Sequence, residues 1–211
     1  RTRLVSGDGR YAIYVYPKGQ LVDEPTFTAF VNDVRVVAPE ATGFPMTHWE
    51  TVSAIRASFQ EAGLLTLFTV LALLFFDFRS VKRGLLAALP LAFGLVFAWG
   101  AMALLGMSYS PPTVIAFPLI VGIGVDAGVH ILHRFEEEGG QDIIPVVRHT
   151  GRAVFMSTGT TMLGLGSLGL AGHAGMSGMG IILFCGMGAA LIGATVILPA
   201  LLSLLAQRRA A

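Results

Sequence analysis

Residues 117–134 have the sequence FPLIVGIGVDAGVHILHR, an apolar run that contains a single carboxylate, Asp126. Together with the apolar residues before it, this run is long enough to predict a membrane-spanning helix over 113–133. At about 1.5 Å per residue, Asp126 lies roughly 20 Å from the start of that helix and roughly 10 Å from its end. An ionisable group at this depth costs about 2.5–3.5 kcal/mol on insertion scales, so Asp126 is the first functional candidate.

The composition of the chain is that of a membrane protein. Hydrophobic residues make up 54% and charged residues 13% of the sequence, whereas soluble domains contain about 25% charged residues. The formal net charge of +1 gives no indication of nucleic acid binding. The single cysteine, Cys185, excludes a disulfide within the chain, and no spacing of side chains predicts a metal centre, a bound cofactor or an enzyme's nucleophile–base pair.

Four further apolar runs accompany the one around Asp126. We predict an α-helical polytopic membrane protein whose transmembrane domain covers 58–206 and contains five helices. An amphipathic segment at 141–150 is predicted to lie on the membrane surface, and residues 207–211 form a short tail. The predicted spans are 57–78, 85–105, 113–133, 153–171 and 176–205.

Residues 1–57 are predicted to be a small extracytoplasmic α/β fragment. Residues 11–16 are rich in β-branched and aromatic residues, which favours a strand. Asp23, Glu24 and Pro25 predict the start of an amphipathic helix that ends before Pro39. One strand and one helix do not build a core, so we expect this segment to pack on sequence outside the chain and the chain to be the C-terminal part of a longer protein.

The distribution of basic residues predicts the orientation. The loops that carry arginine and lysine are expected to be cytoplasmic, by the positive-inside rule. Residues 1–57 are then extracytoplasmic, the C-terminus is cytoplasmic, and a bacterial cytoplasmic (inner) membrane is the expected location. The basic residues on the cytoplasmic side are Arg79, Lys82, Arg83, Arg134, Arg148, Arg152, Arg208 and Arg209.

Two roles are open for Asp126. It is either a structural aspartate paired with a group on another helix or a proton carrier. A carrier is possible because burial favours the protonated carboxyl, whereas a neighbouring positive charge favours the ionised carboxylate. His130 lies one helical turn further on and is either a second relay group or an interfacial histidine. Thr160 and Thr161 in the fourth span are candidate hydrogen-bond partners of Asp126, although such hydroxyls commonly bond to backbone.

Glycines on the Asp126 helix are candidates for helix packing. Gly122, Gly124 and Gly128 would let another helix approach closely. The pair Gly122 and Gly124 is not a dinucleotide fingerprint, because no strand precedes it and a third glycine at the required spacing is missing.

Residues 117–134 closely resemble the aspartate-bearing tenth helix of the resistance-nodulation-division (RND) superfamily. More narrowly, they resemble the MMPL family (mycobacterial membrane protein large) and the related hopanoid exporters. Three other segments agree with this resemblance: TGFP at 42–45, TGTT at 158–161 and VILPALL at 196–202.

The resemblance implies a transporter of twelve helices in two pseudo-repeats with two porter domains outside the membrane. This chain would supply the end of the second porter domain and helices eight to twelve, half of an RND-type pseudo-repeat. Members move lipids or other hydrophobic molecules outward, driven by proton influx, and Asp126 matches their proton-relay aspartate. Many members have tyrosine after that aspartate, whereas this chain has Ala127. Hopanoid-type relatives often lack the tyrosine too, which favours lipid export.

Two functions from different classes follow. The first is a proton-driven exporter of lipids or hydrophobic molecules, and the second is a non-transporting sterol-sensing-like or scaffold module. The expected partners of the exporter are membrane lipids, a hydrophobic substrate, protons and the N-terminal half of the same transporter. A homo-oligomer is compatible with the sequence, and nucleic acid is not expected.

Overall fold

The computed structural model describes residues 12–19, 24–107 and 110–210. The chain divides into two compact units, residues 1–54 and residues 55–211.

The first unit contains helix α1, Glu24–Val37, and the beginning of helix α2, Phe44–Phe78. Pro25 lies in the first turn of α1, where its missing N–H would have no partner within the helix. The Arg35 guanidinium pairs with Glu50 and lies 4.8 Å from the centre of the Trp49 ring. These contacts join α1 to the first turns of α2.

The strand predicted at 11–16 is not found, so the α/β fragment is not supported. Tyr11 lies outside the described residues, and residues 12–17 have no regular secondary structure. Ile13, Tyr14 and Tyr16 are exposed. A strand needs a neighbouring strand for its backbone hydrogen bonds, and the described part of the chain offers none. High β-propensity alone therefore gives no strand here.

The second unit is built from long apolar helices, as predicted. In the described part of the chain, five helices are long and apolar enough to cross a membrane, which confirms the predicted α-helical polytopic membrane protein. They are α2, Phe44–Phe78; α3, Val81–Leu104; α4, Pro111–Glu137; α5, Ile144–Leu170; and α6, which runs through Ala174–Ile192, a π-helical turn at Gly193–Ile197, and Leu198–Ala210.

Helix α5 joins two segments that were predicted separately from the sequence. The amphipathic segment predicted at 141–150 and the span predicted at 153–171 belong largely to one continuous helix. Asp142 Oδ1 accepts a hydrogen bond from the Ile144 N–H at 2.9 Å, and Pro145 lies in the first turn, where proline is tolerated. A π-helical turn at Val147–Gly151 then joins the two parts without a break.

The core of the second unit lies between α3, α4 and α6. Gly186 of α6 faces Gly94 of α3, and a Cβ on Gly186 would lie 2.6 Å from Ile120 Cδ1 and 3.3 Å from the Gly94 carbonyl oxygen. Small residues here let the helices approach closely. The largest fully buried side chains include Leu91, Ile120, Ile131, Leu132, Ile182, Leu183, Met187 and Leu198.

The outer surface of the second unit is strongly apolar. Leu64, Phe68 and Phe76 of α2 are 69%, 72% and 73% exposed. A soluble protein rarely leaves so much contiguous apolar surface in water. This surface fits contact with lipid and agrees with a multi-pass membrane protein.

One hydrogen bond ties the end of α5 to the start of α6. Ser177 Oγ donates to the Gly169 carbonyl oxygen at 2.8 Å. We expect Ser177→Ala to lower the free energy of unfolding in detergent by about 1 kcal/mol, since the bond joins two helices. Ser203→Ala is the control, because Ser203 Oγ donates only to Ala200 of its own helix. Equal thermal midpoints for the two variants would contradict the prediction.

Candidate functional site

Asp126 lies in the middle of α4, a helix that the sequence defines well at both ends. Ser110 precedes the helix, and its N–H donates to Thr113 Oγ1 at 2.9 Å. The helix ends at Glu137, and the next connection contains Gly139 and Gly140, both with positive φ. Glycine adopts this left-handed backbone without steric cost, which ends the helix.

The two faces of α4 have different environments. Val125 and Ala127, beside Asp126, are 9% and 2% exposed because their side chains pack inside the unit. Asp126 itself is exposed. Its side chain makes no hydrogen bond or ion pair with any residue that the structure describes. The carboxylate therefore projects from an apolar helix without a partner in residues 12–19, 24–107 and 110–210.

A row of residues shares the exposed face with Asp126. Leu119, Gly122 and His130 are also exposed, and their spacing of three or four residues places them on one side of the helix. A Cβ at Gly122 would meet no atom within 4 Å. We call Leu119, Gly122, Asp126 and His130 the open face of α4.

The predicted packing glycines divide between the two sides of α4. Gly128 lies against α3, where an added Cβ would overlap the Ala87 carbonyl oxygen and lie 3.2 Å from Pro90 Cδ. A Cβ at Gly124 would make ordinary contacts, 3.6 Å from Leu91 Cδ1 and 3.8 Å from Ala190 Cβ. Gly122, in contrast, belongs to the open face.

The structure does not bring Thr160 and Thr161 to Asp126. Both hydroxyls donate to the Ser157 carbonyl oxygen one turn earlier in α5, at 2.8 Å and 3.0 Å. This is the usual bonding of hydroxyls within a membrane helix.

A second polar group lies at the end of α4. His133 Nε2 is 2.6 Å from Asp77 Oδ2 of α2. The Phe78 ring stacks on the His133 imidazole with 4.4 Å between ring centres. We call Asp77 and His133 the His–Asp pair.

The remaining charged residues near the His–Asp pair are largely paired with one another. Arg83 at the start of α3 forms an ion pair with Glu136 at 3.1 Å. Arg134 pairs with Glu138 at 2.9 Å and Glu137 at 3.3 Å. From the sequence, Arg83 and Arg134 were predicted only to lie on the cytoplasmic side.

Sequence reasoning also missed the role of His173. Its Nδ1 accepts a hydrogen bond from the Gly175 N–H at 3.2 Å and so caps the start of α6. Histidine is not among the common N-cap residues, so this cap could not be predicted from the sequence.

The fold and the site define a multi-pass membrane protein with an ionisable group halfway along one of its apolar helices. This chain belongs to the MMPL family, whose family profile matches residues 31–211. The resemblance to RND-type and MMPL-type hopanoid exporters is thereby confirmed.

Three curated relatives align with most of the chain. The hopanoid transporter HpnN of Rhodopseudomonas palustris is 29% identical over 83% of this chain and 20% of its own length. HpnN of Burkholderia multivorans is 28% identical over 94% of this chain and 23% of its own length. A putative membrane protein of Methanocaldococcus jannaschii is 29% identical over 83% of this chain and 46% of its own length. The chain thus spans less than half the length of each relative.

Proposed function

We propose that this chain is the C-terminal part of a proton-driven exporter of lipids or other hydrophobic molecules, with Asp126 as the proton carrier. The observation that carries the proposal is the position of Asp126 on the open face of α4, halfway along an apolar helix and without a side-chain partner among the described residues. A carboxylate facing lipid at that depth is costly, so it requires a protein partner or a water-filled cavity.

The open face has the properties of a surface that meets another helix bundle. Gly122 leaves space for a close approach, and in secondary transporters the coupling site forms where two pseudo-repeats meet. The length of the relatives supports such a second repeat, since the two hopanoid transporters are more than four times as long as their aligned part. We infer that the partner of Asp126 belongs to the N-terminal half of the same transporter.

The proposed substrate class is inferred from the relatives. Both bacterial relatives are named hopanoid transporters, which supports a lipid as substrate.

Ala127 follows Asp126 here and is 2% exposed. A side chain at that position points into the bundle rather than toward the open face. The proton path therefore relies on groups other than residue 127.

The proposed direction of transport follows from the charges that flank the helices. The α2–α3 connection and the first turn of α3 contain Arg79, Lys82 and Arg83, whereas residues 105–110 and 171–173 contain no lysine or arginine. By the positive-inside rule, the first of these connections is cytoplasmic and the first unit lies outside a bacterial inner membrane. Protons would then enter the cell through Asp126 as lipid leaves.

Gradient-driven lipid export tests the proposal. The protein that contains this chain is reconstituted into vesicles with a labelled hopanoid, and transfer to an external acceptor is measured. Each pH unit supplies about 1.4 kcal/mol per proton, so transfer should rise when the extracytoplasmic side is acidified and should stop with a protonophore. Vesicles without protein are the control, and transfer that is equal with and without the gradient would contradict proton coupling.

A further inference from the structure

His133 of the His–Asp pair lies on the same helix as Asp126, two turns further on. His130 follows Asp126 by four residues and His133 by seven, so at 100° per residue all three side chains fall within about 40° of Asp126 around the helix. The steps along the axis are about 6 Å and then about 4.5 Å. Asp126, His130 and His133 therefore form a polar row about 10 Å long.

The far end of this row contacts both α2 and water. The His133 and Asp77 side chains are 41% and 49% exposed, while Phe78 holds the imidazole ring on its other side. The carboxylate fixes the orientation of the imidazole by bonding Nε2. A positioned imidazole that is open to water is suited to passing a proton between a buried group and solvent.

Among the described residues near the His–Asp pair, the other charged or titratable side chains are paired with one another, bonded to backbone or exposed. On α3 and α4, Arg83 and Arg134 are bonded to glutamates of the Glu136–Glu138 run. Arg79, in the α2–α3 turn, and Lys82, in the first turn of α3, are exposed cations. At the start of α5, His149 Nδ1 lies 3.0 Å from the Pro145 carbonyl oxygen.

We propose that the His–Asp pair is the inner end of the proton path that begins at Asp126, with His133 passing the proton and Asp77 orienting its imidazole. This inference rests on the proposed function. When the Asp126 carboxyl releases its proton, His130 or one water carries it to one ring nitrogen of His133. The imidazolium, whose side chain is 41% exposed, then releases one proton to water while Asp77 holds its orientation, so the imidazole ends neutral and one proton has moved to the inner side.

Two nearly isosteric variants separate a relay from a structural bond. In His133→Gln the amide N–H still donates to Asp77, and in Asp77→Asn the amide oxygen still accepts from His133, so both keep the link between α2 and α4. We expect His133→Gln to lower gradient-driven export about 100-fold, the low end of the effect of a positioned proton-transfer group. We expect Asp77→Asn to lower it about tenfold, since the bond loses its charge. Imidazole buffer inside the vesicles should restore part of the export by His133→Gln.

The controls are Glu136→Gln and Asp126→Asn. Glu136→Gln removes the charge pair with Arg83 at the same end of α4 and should leave export within about twofold. If His133→Gln and Asp77→Asn stay within twofold while Asp126→Asn loses export, the pair is not on the path and the proposed function stands. If Asp126→Asn also keeps native export, both proposals fail. A fall that imidazole does not restore, with a lower thermal midpoint, would identify the pair as a structural link and overturn the relay.

Discussion

Replacing Asp126 with asparagine is expected to reduce gradient-driven lipid export by at least about 100-fold, the scale of loss for a required proton-transfer group. Asparagine keeps the size and the hydrogen-bonding shape of the side chain, but it does not bind and release a proton. The variant should insert normally, because a neutral amide is less costly in an apolar environment than a carboxylate.

The measurement is export by native and variant protein at matched amounts in the same vesicles. Asp142→Asn is the matched control, since Asp142 lies outside the apolar run and accepts the Ile144 N–H, a role that asparagine performs equally well. Its export should equal that of the native protein.

The opposite result would favour the other class of function. If Asp126→Asn exports at the native rate, Asp126 carries no coupled proton, and a sterol-sensing-like or scaffold module becomes the better interpretation. A structural ion pair has its own signature, because removing one partner of a buried pair leaves the other charge unpaired and lowers stability. Thermal midpoints measured with the export rates therefore distinguish the proton carrier from the structural aspartate.

The helices could be predicted from the sequence because a long apolar run in a membrane forms an α-helix. Such runs satisfy their backbone hydrogen bonds internally. The runs at 85–105 and 113–133 correspond to α3, Val81–Leu104, and α4, Pro111–Glu137. The strand at 11–16 failed for the converse reason, since a strand depends on a partner that its own sequence does not specify.

Contacts between side chains of different helices could not be predicted from the hydropathy of the sequence. Asp77 and His133 are separated by 56 residues, and they fall at the ends of two different predicted spans, 57–78 and 113–133. One signal was available: both residues lie at helix ends predicted to be on the same side of the membrane, where such ends can meet. Thr160 and Thr161 show the reverse case, because their nearest acceptor was the backbone one turn earlier.

The second large effect is expected at Gly128, where a methyl group has no space. In Gly128→Ala the new Cβ would overlap the Ala87 carbonyl oxygen and lie 3.1 Å from its carbonyl carbon. These atoms belong to the backbone of α3 and do not move aside as the tip of a side chain would. The helices must separate, and Leu91, which is 2% exposed between them, would lose contacts. We expect the free energy of unfolding to fall by about 1–3 kcal/mol, as for other overpacked cores.

Gly100→Ala in α3 is the control for Gly128→Ala, because a Cβ at Gly100 would meet no atom within 4 Å. Thermal unfolding in detergent should separate the two variants, with Gly100→Ala at or slightly above the native midpoint, since alanine favours helix more than glycine does. Because α4 also carries Asp126, a displaced α4 should lower export as well. A Gly128→Ala protein with the native midpoint would mean that α3 and α4 adjust freely, and the close contact at Ala87 would then not be what fixes the position of the Asp126 helix.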